Sequence, residues 1–132
     1  MRLLVIVLTL MLFPLLASAK PQVNEAVQVR VGNQAKAAKS KLNIRFAELL
    51  DDSRCPKGTA CVWSGEAKIR VQVGKPGGRE QTFELSTLSA KDTVEFAGYK
   101  LRLVSVTPQP AMNVRIDRTK YTATIDVTKS GK

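Results

Sequence analysis

The two cysteines of the chain lie in one short stretch, and their spacing limits the chemistry they can perform. Cys55 and Cys61 enclose a loop that contains Pro56 and Gly58. A redox site would more naturally have the C-x-x-C spacing, and a zinc site would need further cysteine or histidine ligands. The chain contains no histidine. Because the N-terminus predicts export, the sequence favours a structural Cys55–Cys61 disulfide, with no metal and no other cofactor.

Residues in and beside this loop form a candidate binding loop, namely Arg54, Lys57 and Trp63. A closed loop is preorganised, which lowers the entropic cost of binding. Protease inhibitors present such loops, so a secreted inhibitor with Lys57 in the specificity position is one hypothesis. The simpler interpretation is a connection that the disulfide holds shut. For Trp63 we expect packing on or near the disulfide, with an exposed ring that stacks on sugars or bases as the alternative.

Two adjacent acids, Asp51 and Asp52, precede the loop and are the remaining candidates for catalysis. They could bind a cation or act as the acid pair of a hydrolase. More often such residues form Asx-type turns or an ion pair with a neighbour such as Arg54. Ser53 has no histidine to activate it and no G-x-S-x-G context. We therefore expect a protein that is not an enzyme, and keep the hydrolase as an alternative.

The first nineteen residues have the pattern of a secretory signal peptide. Arg2 gives a short positive region, residues 3–16 are almost entirely apolar, and Ala17-Ser18-Ala19 supplies the small residues at the cleavage site. A membrane span would need about 20 apolar residues, which is longer than this run. We expect cleavage after Ala19 and a periplasmic or secreted protein without a transmembrane segment.

The formal net charge of +10 in 132 residues favours anionic partners. Candidates for a basic surface are the outward residues of the predicted strands, namely Arg45, Lys68, Arg70, Lys100 and Arg102. If they converge on one sheet face, they would bind an anionic envelope polymer; otherwise they form a solvated face without a specific partner. Aromatic residues make up only 5% of the chain, without the pattern of a sequence-specific nucleic-acid reader.

Alternation of apolar and polar residues dominates the rest of the chain. It places Ala67, Ile69, Val71 and Val73 on one face of a strand, and turn residues separate about seven to eight such strands. This predicts a single antiparallel β-sandwich over residues 26–128, Ig-like or small and barrel-like, with a flexible leader at 20–25 and a tail at 129–132.

Four finer predictions follow from the same pattern. The segment 34–38 would return from the Gly32-Asn33 turn as a partner of the first strand. The loss of alternation at 47–50 indicates a bulge or the end of a strand before Asp51. Residues 62–73 form the longest strand-like run, and 114–116 suggests a short strand.

The loop region resembles a widespread family of exported bacterial proteins that carry an Asp-Ser-Arg-Cys-Pro motif and then Cys-Val-Trp-x-Gly-x-Ala. The matching residues are Asp52-Ser53-Arg54-Cys55-Pro56, Cys61-Val62-Trp63, Gly65 and Ala67, with further similarity at 31–34, at 98–103 and in a Pro-x-Pro that follows. The resemblance covers most of residues 29–127 and implies a secreted β-rich domain without an assigned activity. One departure is Gln109, where the family pattern has an aromatic residue, so a groove built on that aromatic would lack it here.

Overall fold

The computed structural model describes residues 24–131, which form two four-stranded antiparallel sheets. The strands are β1 (Asn24–Arg30), β2 (Gln34–Lys36), β3 (Asn43–Asp52), β4 (Ala67–Gly74), β5 (Glu80–Ser86), β6 (Thr93–Phe96), β7 (Tyr99–Thr107) and β8 (Thr122–Lys129). A single 3-10 turn, Arg118–Lys120, precedes β8. The predicted signal peptide and most of the predicted leader lie outside the described residues. Within 24–131 no helix has the length and hydropathy needed to cross a membrane.

One sheet has the order β1-β8-β7-β6 and the other β2-β3-β4-β5. The predicted antiparallel β-sandwich is therefore confirmed. Every strand lies beside its neighbours in sequence, either within a sheet or where the chain passes from one sheet to the other. This is the order of an up-and-down barrel that has flattened into two layers, and it fits the barrel-like form better than the Greek-key order of an Ig domain.

The core follows directly from the alternation in the sequence. Along β4 the four apolar residues predicted to share a face are all fully buried between the sheets. Tyr121 and the alternate residues of β8 behave in the same way. At the open edge between β5 and β6, the rings of Phe83 and Phe96 meet edge to face with centroids 6.2 Å apart, and this contact covers the core where no hydrogen bonds join the sheets.

Two long strands contain register shifts that change which residues face the core. In β3 the shifts lie between Phe46 and Glu48 and between Leu49 and Asp51, which confirms a bulge in the segment where alternation fails. The strand nevertheless continues to Asp52 and does not end before Asp51. In β7 a shift after Leu103 turns Val106 into the core.

Three of the finer predictions were wrong. β2 pairs with β3 and not with β1, because the positive φ of Gly32 carries the chain across to the second sheet, where its N–H donates to the Phe46 carbonyl. Residues 62–66 are loop, because the disulfide holds Cys61 beside Cys55 and away from the β3 ladder. Residues 114–116 form no strand, because β7 and β8 already pair with each other and leave this segment no free edge.

Replacing a side chain at the centre of this core should destabilise the protein strongly. For Ile125→Ala, whose side chain is fully buried in β8, we expect the free energy of unfolding to fall by about 2–5 kcal/mol through lost burial and a residual cavity. Val104→Ala, on the solvent side of β7, should change it by about 0.5 kcal/mol or less. Urea unfolding of both variants measures the difference, and equal losses would contradict the assignment of the two faces.

Candidate functional site

Three loops meet at one end of the sandwich, which we call the loop end: residues 53–66, 87–92 and 108–121. The Lys57 N–H donates to the Pro110 carbonyl at 2.9 Å, which joins the loops 53–66 and 108–121, and the Thr87 N–H donates to the carbonyl of Ala67, the first residue of β4, at 3.0 Å. A cleft of about 390 Å³ lies between them. Its lining residues are Arg54, Cys55, Ser64, Gly65, Thr87, Leu88 and Gln109.

The opposite end, which we call the turn end, carries residues 37–42, 75–79 and 97–98. None of these connections is as long as the loops 53–66 and 108–121, and they join the ends of the strands farthest from the disulfide. The start of β1 also lies here, since the Lys39 N–H donates to the Glu25 carboxylate at 2.7 Å. The two ends of the sandwich therefore differ in loop length, and only the loop end has enough irregular chain to build a site.

Arg54 and Asp52 form the central contact of the loop end. The guanidinium donates two parallel hydrogen bonds to the Asp52 carboxylate, from Nε at 2.7 Å and from Nη2 at 2.8 Å. The same guanidinium donates to the carbonyl of Val106 and, at 3.0 Å, to that of Pro108. The Tyr121 hydroxyl donates at 3.2 Å to Oδ2 of Asp52, the oxygen that also accepts from Nη2. One ion pair thus joins the end of β3 in one sheet to β7 and the start of β8 in the other.

This contact shifts the pKa values of both acidic groups in it. Burial disfavours the charged form of Asp52, but the hydrogen bonds and the positive charge of Arg54, together with the Tyr121 hydroxyl, outweigh it and hold its pKa below the ordinary value. Burial and the negative charge of Asp52 raise the pKa of Tyr121. The side chains of Asp52 and Arg54 are 8% and 13% exposed. The predicted Asp52–Arg54 pair is thus confirmed as a bidentate ion pair, which leaves Arg54 engaged within the protein.

The loop between β3 and β4 is held closed at several levels. The predicted Cys55–Cys61 disulfide is confirmed. Within the ring, the Thr59 hydroxyl donates to the Pro56 carbonyl at 2.6 Å. At its base the Ser53 N–H donates to the Glu66 carbonyl at 2.8 Å, while the Glu66 N–H returns a bond to the Ser53 hydroxyl at 3.0 Å. These bonds fix the loop on the end of the sheet, as a preorganised binding element requires.

Trp63 contradicts the expectation that it packs on the disulfide as part of the core. Its side chain is 75% exposed, and that of Val62 beside it is 96% exposed. Both residues follow the second cysteine, which holds this part of the loop at the surface. The alternative of an exposed ring is the one that the structure supports. The hydrophobic effect disfavours leaving apolar side chains of this size in water, and exposed apolar patches commonly mark interaction sites.

Exposed apolar side chains are concentrated at the loop end. Among residues 24–131 the large exposed ones are Val62, Trp63, Leu88, Val104, Met112 and Val114. All but Val104 lie in the three loops. Leu88, Met112 and Val114 were not predicted from the sequence, because isolated apolar residues in a loop carry no periodic signal. They are recognised in the structure because they lie outside the strands, where no sheet face buries them.

Lys57 is exposed, as an inhibitor would require, but its backbone is already used. Its N–H is bonded to Pro110, and the residue forms a parallel bridge with Ala111. A protease must pair with the main chain on both sides of the specificity residue, as in other cases of strand addition. The loop 108–121 already pairs with the main chain of Lys57, so the geometry does not favour the inhibitor hypothesis.

The candidate basic surface does not converge on one face. Arg45, Lys68 and Arg70 lie on the outer face of the β2–β5 sheet, whereas Lys100 and Arg102 lie on the outer face of the other sheet. Three of these cations are paired with acids of their own sheet or its border: Lys68 with Glu66, Arg70 with Glu48 and Glu84, and Lys100 with Glu95. A single basic sheet face is therefore excluded.

Positive charge at the loop end is differently arranged. The basic residues of the three loops, besides Arg54, are Lys57, Lys91, Arg115, Arg118 and Lys120. None of them forms an ion pair within residues 24–131. Two acids of these loops, Glu66 and Asp117, accept hydrogen bonds from neighbouring hydroxyl or backbone groups, whereas Asp92 lies next to Lys91 and Asp51 is exposed at the end of β3. A hydrogen bond from Ser86 lowers the pKa of Glu66 against a small effect of burial, and bonds from the Thr119 backbone and hydroxyl lower that of Asp117.

Neither a metal centre nor a known relative adds to this description. No group of three or more potential metal ligands occurs among residues 24–131. Comparison of the chain with family models, with curated proteins and with solved structures found no match. The interpretation of the loop end therefore depends on its own residues and geometry.

Removing the charge of Asp52 should show how much the ion pair contributes to stability. We expect Asp52→Asn to lower the free energy of unfolding by about 2–3 kcal/mol at neutral pH, because Arg54 loses its partner while still largely buried. The pKa of Asp52 is lower in the folded chain, so its contribution is fully present above about pH 4 and is lost as the pH falls through the lowered pKa.

Urea unfolding across this pH range measures the effect, with Asp51→Asn as the control. Asp51 is exposed and its side chain has no hydrogen bond in the described structure, so this variant should change stability by about 0.5 kcal/mol or less. A gap between the protein and Asp52→Asn that stays constant into acid, or an equal loss in both variants, would contradict the role assigned to Asp52.

Gly65 should tolerate no side chain, in contrast to Gly58. A Cβ at Gly65 would lie 1.9 Å from the Ser53 carbonyl oxygen, at a φ of +63°. Gly58 also has a positive φ, but a Cβ there would meet nothing within 4 Å. We expect Gly65→Ala to cost about 3 kcal/mol or more and Gly58→Ala about 1 kcal/mol, measured by urea unfolding. Similar losses in the two variants would show that the base of the loop is not closed as described.

Proposed function

We propose that this protein is an exported, non-enzymatic binding domain that holds an anionic component of the bacterial envelope at its loop end. The observation that carries the proposal is the exposed Trp63, presented on a loop that a disulfide and the Asp52–Arg54 pair hold in place. Large aromatic side chains in such positions dominate the energetics of interfaces. Their exposure in the free protein is accounted for when a partner covers them.

Export is supported by the signal-like N-terminus and by the disulfide. A cysteine pair of this kind persists in oxidising compartments such as the periplasm or the medium. The resemblance to exported bacterial proteins, which rests on the residues that build the loop end, agrees with this. Those motif residues serve the fold: Asp52, Arg54, the two cysteines and Gly65 each hold the loop in shape, and Trp63 is the one that they present.

The preference for an anionic component follows from the charge of the chain and its distribution. The chain has a formal net charge of +10, and several cations on the two sheet faces are paired with acids, whereas Lys57, Lys91, Arg115, Arg118 and Lys120 at the loop end form no ion pair within residues 24–131. These cations border the exposed apolar residues. An anionic polymer or surface would therefore be held at this end and not on a sheet face.

Capture of envelope components on the immobilised protein, residues 20–132, tests this proposal. We expect Trp63→Ala to reduce capture about tenfold, because it removes a central contact residue that the fold does not need. Val104→Ala, which removes an exposed apolar side chain from a sheet face, is the matched control and should bind normally. Opening the loop with Cys55→Ser/Cys61→Ser should also reduce capture. Undiminished capture by Trp63→Ala and by the open-loop variant would place the binding surface elsewhere.

A further inference from the structure

The loop end combines exposed apolar residues with cations that form no ion pair in the described part of the chain, a combination found on surfaces that dock to membranes. We infer that the loop end binds the interface of a bilayer that contains anionic phospholipid. This inference rests on the proposed function and names the chemistry of the partner. It separates a lipid surface from a soluble anionic polymer, since a polymer would make no use of side chains such as Val62 and Met112.

The first step is the shape of the apolar surface. Val62 and Trp63 lie on one loop, Met112 and Val114 on a second, and Leu88 on a third. The backbone bond from Lys57 to Pro110 holds the first two loops side by side. Val62, Trp63, Met112 and Val114 are exposed on these two loops and do not line the cleft between them, which only Leu88 of this set borders. A surface of this kind suits a partner that flows around each side chain, as acyl chains and headgroups do.

The second step is the chemistry of the side chains. The amphipathic ring of tryptophan prefers the headgroup level of a bilayer, where one part is apolar and another is hydrated. Val62, almost fully exposed, has no hydrogen-bonding group and no ring to stack on a sugar or a base. Transfer of the Val62 side chain from water into an apolar medium is the change that lowers its free energy.

The third step is the charge around the apolar residues. Lys57 lies in the same loop as Trp63, Arg115 follows Val114 directly, and Arg118 lies three residues after Arg115. The two arginines line an open groove of about 510 Å³ that also contains Ile116 and Asp117. The Asp117 carboxylate accepts hydrogen bonds from the backbone and the hydroxyl of Thr119, so it is turned towards its own backbone. Phosphate oxygens are the partners that guanidinium groups favour, and anionic headgroups supply them.

Binding to vesicles tests the inference with the folded, disulfide-intact protein, residues 20–132. Vesicles of equal parts phosphatidylglycerol and phosphatidylcholine are compared with vesicles of phosphatidylcholine alone. Trp63 is the one tryptophan of the chain, so its fluorescence reports on the loop end directly. We expect co-sedimentation and a blue shift of its emission with the anionic vesicles, and at least about tenfold weaker binding to the neutral ones.

Three double variants separate the contributions. Arg115→Gln/Arg118→Gln should weaken binding to the anionic vesicles about tenfold or more. Lys75→Gln/Arg79→Gln removes the same charge from the turn end and should leave binding unchanged. Val62→Ser/Met112→Ser should weaken binding by about tenfold and reduce the blue shift, since it removes apolar insertion but no charge. Thermal unfolding confirms that each variant is folded, and these exposed residues have no role in the core.

A parallel experiment with dextran sulfate, a soluble anionic polymer, distinguishes failure of this inference from failure of the proposed function. Binding to the polymer or to an envelope protein in a Trp63-dependent manner, without binding to anionic vesicles, would overturn the lipid inference and leave the proposed function standing. Vesicle binding that the turn-end variant loses as much as the loop-end variant would also overturn it. Absence of binding to vesicles, polymer and envelope components alike would overturn both.

Discussion

The Asp52–Arg54 ion pair is the contact on which the organisation of this protein depends. A flattened barrel leaves two seams at which no backbone hydrogen bonds join the sheets, and hydrophobic packing alone does not fix how the loops above them lie. Arg54 fixes the position of these loops because its planar guanidinium has N–H donors that point in several directions. It binds the Asp52 carboxylate at the end of β3 and the carbonyls of Val106 and Pro108 at the end of β7, so one side chain contacts the ends of strands from both sheets.

The disulfide constrains the part of the loop that follows this contact in the chain. It closes a small ring and by itself would constrain only a few residues, since the entropic effect of a cross-link is least for short loops. Its importance lies in its position between the ion pair and Trp63. Arg54 precedes the first cysteine and Trp63 follows the second by two residues, so the disulfide-closed loop connects the anchored Arg54 to the exposed indole of Trp63. After Trp63, Gly65 packs closely against the Ser53 carbonyl at the base of the loop.

The parts of the structure that the sequence predicts are those with a repeating physical signal. Alternation along β4 and β8 determines which side chains are buried, and proline and glycine mark the turns, so the sandwich and its core follow from pattern alone. The pairing of β2 did not, because Gly32-Asn33 is equally suited to a hairpin and to a crossing between sheets. The sequence left open whether β3 contains a bulge or ends before Asp51, since a bulge alters the phase of the alternation without ending the strand.

The loop end was predicted in its covalent features and misjudged in its surface. The Cys55–Cys61 bond is local in sequence, so residue types and spacing were enough to predict it, and they made an ion pair with Arg54 one of the structural roles open to Asp51 and Asp52. Burial of Trp63 depends instead on whether another part of the chain packs on it, and the loop 108–121, which could have done so, contacts Lys57. Likewise, outward charges on two strands appear equivalent in sequence, and only the topology reveals that they belong to opposite faces.

Pairing of β1 with β8 has a geometric consequence for any use or attachment of the domain. Asn24 lies opposite Thr128, so the first and last described strands begin and end together at the turn end. A tether, label or fused domain joined at either terminus would therefore emerge on the side away from Trp63. Two copies linked through their termini would present their tryptophans in opposite directions, whereas copies anchored to a common scaffold would present them outward as an array.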